Sequence, residues 1–425
     1  MQDLTYRNTK DRFQQLFIEK LSIDSIANVV KTPFYCYSKQ NLINNFHNFV
    51  AEFNRQQVSD YQICYAIKAN QNLHIASIFA KLGAGIDAVS IGEIERAICV
   101  GTSPEKIIFA GVGKTFVEIE SALKLGVHEF SVESQAELFM ISQVAAKIGK
   151  IAKFSLRVNP DIDAKTHSNI STGRKGDKFG VDIELAEEIY LLAKHLPAIE
   201  IYGISMHIGS QITTIEPFRK AFAKMADLAY KLKNHNIEIK QLDFGGGIGV
   251  FYKDEVLIDL KEYISLIRET AEKFNAKIVI APGRSLVASA GILVSSVILL
   301  KNTGDKNFTI IDASMNDLAR PGLYGSYHEV LPCVKDFSIN QEAVLTNLAG
   351  PVCESTDVLA KSRLLPPLNP NDLLVFLTAG AYGSAMSSQY NCRPLIPEVL
   401  VDGEDFKIIR RRPSFLEMIS LENFH

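Results

Sequence analysis

Several residues of this 425-residue chain have the types and spacing to do chemistry. Lys68 stands in YAIKAN, small and apolar neighbours around one amine at the end of an apolar run. An unpaired ammonium is costly to bury, so either the strand surfaces there and the amine sits in water, or the amine is placed to react. Gly245, Gly246 and Gly247 follow the run LDF. Glycines leave no side chain to block an anion from backbone N–H groups, although three in a row also suit a tight strand-to-helix turn. Pro282-Gly283-Arg284 closes another apolar run with a cation, and His207 and Ser210 lie together in SMHIGSQI.

An anion cradle and a lysine at the same site suit pyridoxal phosphate, whose aldehyde condenses with an amine and whose ring withdraws electrons from a carbanion. In such a site Lys68 carries the cofactor, the glycines and Arg284 hold its phosphate, Ser210 reaches the phosphate through its hydroxyl, and His207 packs flat on the ring. Taken alone, His207 reads equally as a hydrogen-bonded core histidine.

These residues can meet only if the elements carrying them converge. Between about Tyr61 and Ala281, short apolar runs alternate with stretches of helical periodicity. The runs are YQICYAI, GIDAV, KIIFAG, HEFSV, FSLRV, IYGISMHI, IKQLDF and KIVI. Such alternation predicts an α/β fold, a (β/α)8 TIM barrel with an active site built from its C-terminal loops. The alternative, an open doubly wound sheet, concentrates ligand contacts at one switch point, whereas here unusual residues (Lys68, Ser90, Arg157, Asn159, His207) end many runs. From about Val294 the pattern changes to VSSVILL, NFTIIDA, EVLPCV, EAVLTNLAG, DLLVFLTAG and KIIRR. This predicts a second, mostly antiparallel β domain, with PFYCYS adding an early strand. The expected division is residues 1–40 for an N-terminal segment contributing to the β domain, 41–290 for the barrel and 291–425 for the C-terminal β domain.

Forty-five basic against 48 acidic residues leave a formal charge of -3, a balance that favours neither nucleic acid nor an anionic membrane. The N-terminus lacks the basic-then-apolar order of a secretory signal, and no apolar run approaches a membrane span. The six cysteines have no metal-ligand spacing and read as reduced thiols. The expectation is a cytoplasmic enzyme with a small-molecule substrate, no metal, no nucleic acid and no membrane.

In order along the chain, YAIKAN, HIGSQI, LDFGGG, PGRS, MNDLARPGLYGSYHE, GPVCESTD and AGAYG resemble the motif series of the diaminopimelate decarboxylases. These are pyridoxal-phosphate enzymes whose fold resembles alanine racemase, a barrel plus a β domain. The resemblance spans about Lys31 to Asn391 and implies decarboxylation of meso-2,6-diaminopimelate to L-lysine and CO2, the last step of lysine biosynthesis. It implies that Lys68 carries the cofactor and that Cys353 is the proton donor. It places Ala281, Pro282, Gly283, Arg284 and Tyr382 on the cofactor, and Arg284, Arg320, Tyr324, Glu354 and Tyr382 on the substrate. It further implies a homodimer in which Cys353 and Glu354 complete the partner's site. The substrate's far end bears a carboxylate and an ammonium, which Arg320, as a bidentate donor, and Glu354 would pair with; ornithine would need only the acid. One position departs: the family reads EPGR, its glutamate on the pyridine nitrogen, where this chain reads APGR. Ala281 therefore also raises the alternative of a catalytically impaired regulatory homologue, and a related basic amino acid decarboxylase is a further one.

Overall fold

The computed structural model describes residues 4–9, 13–163, 173, 176–336 and 342–422. The chain divides into two compact units, one of Phe46–Val250 with Val256–Ser285, the other of Met1–Asn45, Phe251–Glu255 and Leu286–His425.

The first unit is a closed parallel barrel. Its strands are β1 (Tyr61–Ala66), β2 (Gly85–Ala88), β3 (Ile107–Phe109), β4 (Glu129–Val132), β5 (Ala152–Asn159), β6 (Ile199–Ser205), β7 (Gln241–Asp243) and β8 (Lys277–Ile280). Each pairs with the next in parallel, and β8 returns to β1 with Ile278 opposite Tyr61. Closure leaves no sheet edge to protect. A two-residue strand, Val181–Asp182, lies beside the end of β5.

The crossover helices begin where polar side chains can accept the first free N–H groups. Asn72, Ser90, Thr115, Ser134 and Asp259 each do so, Thr115 within a capping box closed by Glu118. No long helix follows β8, only Arg284–Val287. The helix before β1, Lys39–Arg55, supplies that part of the helical ring instead. Phe53 stacks on Tyr61 with ring centres 4.1 Å apart, and Phe46 meets Phe79 of the first crossover helix. On its other flank, Gln56 donates to the Lys261 carbonyl and accepts from Ser265 of the last crossover helix.

The second unit is built on a nine-stranded, mostly antiparallel sheet. Its axis is the twelve-residue strand Gly291–Asn302, which pairs with Phe34–Ser38 and Leu373–Phe376 along its first half and with Asn307–Ile311 along its second. The early strand PFYCYS thus lies in this sheet, parallel to Glu398–Asp402 on its other side. A smaller sheet joins Leu4–Asn8, Phe13–Ile18, Leu21–Ser22 and Val334–Asp336. Ile18, Ile23, Ile26, Phe34, Ile292, Val294, Val375 and Val399 form the buried core beneath them. Val358–Leu365 is a strand without clean alternation, because Lys361 and Ser362 interrupt its apolar face.

Candidate active site

Within the barrel, the C-terminal ends of β1, β6, β7 and β8 bring Lys68, His207, Ser210, Gly245–Gly247 and Ala281–Arg284 to one mouth. Lys68 follows β1 in a single 3-10 turn, Ile67–Ala69. That turn is tied to the end of β8: Ala66 N–H donates to the Pro282 carbonyl at 3.1 Å, and a Cβ on Gly283 would stand 3.1 Å from those of Ala66 and Ala69. Gly283 is therefore there to let two strand ends touch. Lys68 is half-buried. Its charge acts on Asp87, Glu93 and His207, which places the amine among β1, β2 and β6 rather than in open water.

His207 is half-buried at this mouth. Burial, with the charges of Lys68 and Arg157 added, pushes its imidazole well below the usual histidine range. The neutral ring accepts the Gly246 N–H at Nδ1 (3.2 Å), which fixes the remaining proton on Nε2. This corrects the simplest expectation for the glycine run. Gly246 N–H is spent on His207 and Gly245 N–H on Asp243 Oδ1 at 2.8 Å. Of the three, only Gly247 N–H has no internal acceptor among the described residues. Gly245 and Gly247 adopt φ of 65° and 109°, and a Cβ on any of the three would strike a backbone carbonyl, of Met206, Ala281 or Gly209. Beside them Arg284, also buried, donates through Nε and Nη2 to Ser210 Oγ at 3.2 and 3.1 Å.

Sequence reasoning gave no role to the acids and cations inside the barrel. Asp243, at the end of β7, accepts from Gly245 N–H and from Ser205 Oγ (3.2 Å). Burial lifts its carboxyl to about 7. Asp87 is register partner of Ala66; burial raises its carboxyl, and Lys68 is the leading charge opposing that rise. Arg157 binds Glu133 at 2.7 Å, and Glu133 also accepts Gly180 N–H. Lys114 is almost fully buried and spends its ammonium on Glu137 (2.6 Å) and on the carbonyls of Gly111 and Ser131. Acids inside a strand pattern were the available signal, and an apolar-run reading passes over them.

The other expected residues lie in the β unit. Arg320 opens a short helix, Arg320–Tyr324, and is buried. Its guanidinium donates to His328 Nε2 at 3.1 Å and lies 4.9 Å from the Tyr252 ring centre, while His328 Nδ1–H donates to the Leu377 carbonyl. The histidine is thereby held as an acceptor toward the arginine. Tyr324 Oη is 4.0 Å from Met386 Sδ, and Tyr382 sits at φ 58°, a conformation costly for a non-glycine residue. Cys353 and Glu354 are exposed on a loop closed by Asp357, whose Oδ2 accepts Val352 N–H (2.7 Å) and whose Oδ1 accepts Met315 N–H (2.6 Å). Cys353 N–H donates to the Asn391 side chain. All six cysteines are free thiols. Among the described residues no cluster of metal-ligating side chains occurs, and no helix is long and apolar enough to cross a membrane.

The barrel mouth fits pyridoxal phosphate: an amine for the aldehyde, a turn where no Cβ is tolerated, a free N–H at Gly247 beside Arg284, and a neutral imidazole for the ring face. Residues 40–288 match the family model described as the pyridoxal binding domain of pyridoxal-dependent decarboxylases. The class is thus a barrel-type pyridoxal-phosphate carboxy-lyase. The chain is 43% identical to the diaminopimelate decarboxylase of Vibrio cholerae, over 96% of this chain and 97% of that one. It is likewise 43% identical to that of Pseudomonas aeruginosa, over 100% and 99%. The solved diaminopimelate decarboxylase from Helicobacter pylori complexed with L-lysine superposes with a TM-score of 0.89 at 41% identity, covering 94% of this chain and 98% of that one. This chain belongs to the diaminopimelate decarboxylase family.

Proposed function

We propose that this protein decarboxylates meso-2,6-diaminopimelate to L-lysine and carbon dioxide with pyridoxal 5'-phosphate as cofactor, the last step of lysine biosynthesis. The observation that carries this is near-full-length similarity to diaminopimelate decarboxylases. When bound, the cofactor supplies the electron sink that accepts the pair left by departing carbon dioxide. The protein's part is orientation and proton transfer. Lys68 would hold the cofactor through its amine. Gly247 N–H and Arg284, the latter braced on Ser210, would hold the phosphate, and neutral His207 would face the ring without adding charge.

Arg320 takes the distal carboxylate. His328 and Tyr252 fix the guanidinium plane in advance, so little rotamer freedom is lost when the carboxylate arrives. Glu354 pairs with the distal ammonium, and Tyr324 and Tyr382 complete the contacts. Cys353 returns a proton to the reacting carbon; a neutral thiol is a competent donor near pH 7. Cys353 and Glu354 are both exposed in the single chain, as suits residues that complete the site of a second subunit in a homodimer. We infer a cytoplasmic location, which the six free thiols support.

The test is to load the purified protein with pyridoxal phosphate, add meso-diaminopimelate, and measure carbon dioxide and lysine. Stoichiometric release of both is expected, with ornithine a poor substrate. Cys353→Ala should slow turnover by about 10²- to 10⁴-fold while the absorbance of the bound cofactor persists. Cofactor binding without any carbon dioxide release would overturn the assignment.

A further inference from the structure

Resting on the function just given, we propose that Asn391 is the positioning residue for Cys353, setting where the thiol stands when its loop completes the site of a second subunit. Cys353 lies on the loop between the strands Val344–Ala349 and Val358–Leu365, and its own N–H donates to Asn391 Oδ1 at 3.1 Å. A proton donor works only when it is held in line with the atom that takes the proton. The placement of this loop is therefore part of the chemistry.

Four hydrogen bonds between residues adjacent in the chain close a ring around that loop. Met315 N–H donates to Asp357 Oδ1 (2.6 Å), and Asp357 Oδ2 accepts Val352 N–H (2.7 Å). The next residue, Cys353, donates to Asn391, and the Tyr390 carbonyl accepts Asn316 Nδ2 (2.7 Å), which returns the ring to Met315. Its base is buried, Asn316 and Asp357 each being 3% exposed. Asn391 is itself clamped on both sides, by Ser388 N–H on the Asn316 carbonyl (3.0 Å) and by Arg393 Nη2 on the Asp312 carbonyl (2.8 Å). Met315 and Asn316, from a run to which neither cofactor nor substrate assigned a part, thus serve as the common base of both loops. Within the ring, the bond through Asn391 is the one that reaches Cys353 itself.

Asn391 stands at φ 54° and ψ 29°, in the left-handed region. Glycine takes that conformation without steric cost, and asparagine is among the most tolerant of the other residues. The turn needs only a residue of this tolerance, whereas the bond to Cys353 needs a side-chain oxygen, so the two requirements can be separated. In the single chain Cys353 and Asn391 are exposed, and water can replace either partner. A loop inserted into a second subunit's site loses that water, and an N–H left without an acceptor then keeps its desolvation cost. Glu354 has its own tie, N–H to the Val352 carbonyl at 2.8 Å. Loss of the asparagine oxygen should therefore reach the thiol before it reaches the group that pairs with the distal ammonium.

Asn391→Gly keeps the turn and removes the acceptor, whereas Asn391→Asp keeps both. The first readout is amide hydrogen exchange at Cys353 in protein labelled with ¹⁵N-cysteine. Exchange should quicken roughly 2- to 10-fold in Asn391→Gly, the worth of one hydrogen bond, and stay at the parent's rate in Asn391→Asp. The second is turnover of meso-diaminopimelate by enzyme loaded with pyridoxal phosphate, with and without the thiol. With Cys353 present, Asn391→Gly should lower kcat about tenfold or more, as a misplacement approaching 1 Å would, with little change in KM, and Asn391→Asp should retain turnover. In the Cys353→Ala background the same glycine should change kcat by less than about twofold, because a residue that acts through the thiol has nothing left to position. A merely structural asparagine would lower kcat equally in both backgrounds, and that result overturns the assignment. So does unchanged exchange or unchanged kcat in Asn391→Gly, while a slow Cys353→Ala leaves the donor reading standing. A parent that releases no carbon dioxide, or a Cys353→Ala variant as fast as the parent, removes both.

Discussion

Lys114 and Glu137 form the pair whose removal the structure prices most directly. Their side chains are 1% and 7% exposed, and the ammonium uses all its donors, on Glu137 (2.6 Å), Gly111 O (2.7 Å) and Ser131 O (2.8 Å). Lys114→Met leaves a buried carboxylate and two carbonyls without a partner, a loss of about 3–5 kcal/mol, since an orphaned buried group keeps its full desolvation cost. For a unit of this size that corresponds to a fall of roughly 6–20 °C in Tm. Replacing both partners, Lys114→Met with Glu137→Leu, removes the buried charge altogether and should recover part of the loss, while the Gly111 and Ser131 carbonyls and the Glu133 N–H lose their partners. The pH dependence has a definite sign. Burial already raises Glu137 and Lys114 opposes that rise; without the lysine the folded-state pKa climbs further, so the variant binds a proton on folding and its deficit shrinks at lower pH. The assay is chemical denaturation of parent, both single variants and the double variant at pH 5.5 and 8. A deficit below about 1 kcal/mol, or a double variant no better than Lys114→Met, would refute the reasoning. Function should follow the same cycle. Glu137 also accepts Glu133 N–H (2.8 Å), and Glu133 holds Arg157 at the barrel mouth.

Gly246→Ala would drive its Cβ into the Ala281 carbonyl and break the N–H bond to His207. A shift of about 1 Å there should lower kcat/KM about 100-fold and weaken cofactor affinity, both measurable on reconstituted protein; retention of both within twofold would count against a tight cradle. His328→Leu removes the acceptor at His328 Nε2 from the buried Arg320 guanidinium. It should raise KM for diaminopimelate about tenfold or more with a smaller effect on kcat, and an unchanged KM would remove His328 from substrate recognition. Glu129 is fully buried against Ser155 and Gln241, and its pKa is raised from 4.5 to about 8. Its folded state holds a proton that the unfolded state releases between those values, so its contribution to stability falls as pH rises through that window and levels off above it. Glu129→Gln should therefore gain on the parent between pH 5 and 9 in urea midpoint; a difference independent of pH would exclude a neutral Glu129.

The barrel was legible because its signals are local. Each apolar run and the helix after it are encoded within about 30 residues by side-chain period and by caps such as Ser90 and Thr115. Residues ending those runs must share a mouth once the sheet closes, so Lys68, His207, the glycine run and Arg284 could be grouped from their positions alone. The strand partner of the first residues was not legible, because Leu4–Asn8 and Phe13–Ile18 complete a sheet with Val334–Asp336, more than 300 positions away. The source of the last helix in the ring was equally hidden: Lys39–Arg55 is recruited by aromatic contacts and by Gln56, which exist only after closure.

The sequence by itself therefore determined which chemical groups stand at strand ends and the family to which their order belongs, since both depend on residue type and spacing. Only the tertiary structure decided how those groups spend their hydrogen bonds: Gly245 on Asp243, Gly246 on His207, Arg320 on His328. A donor commits to an acceptor within about 3 Å, and distances of that order between separate elements are fixed by packing.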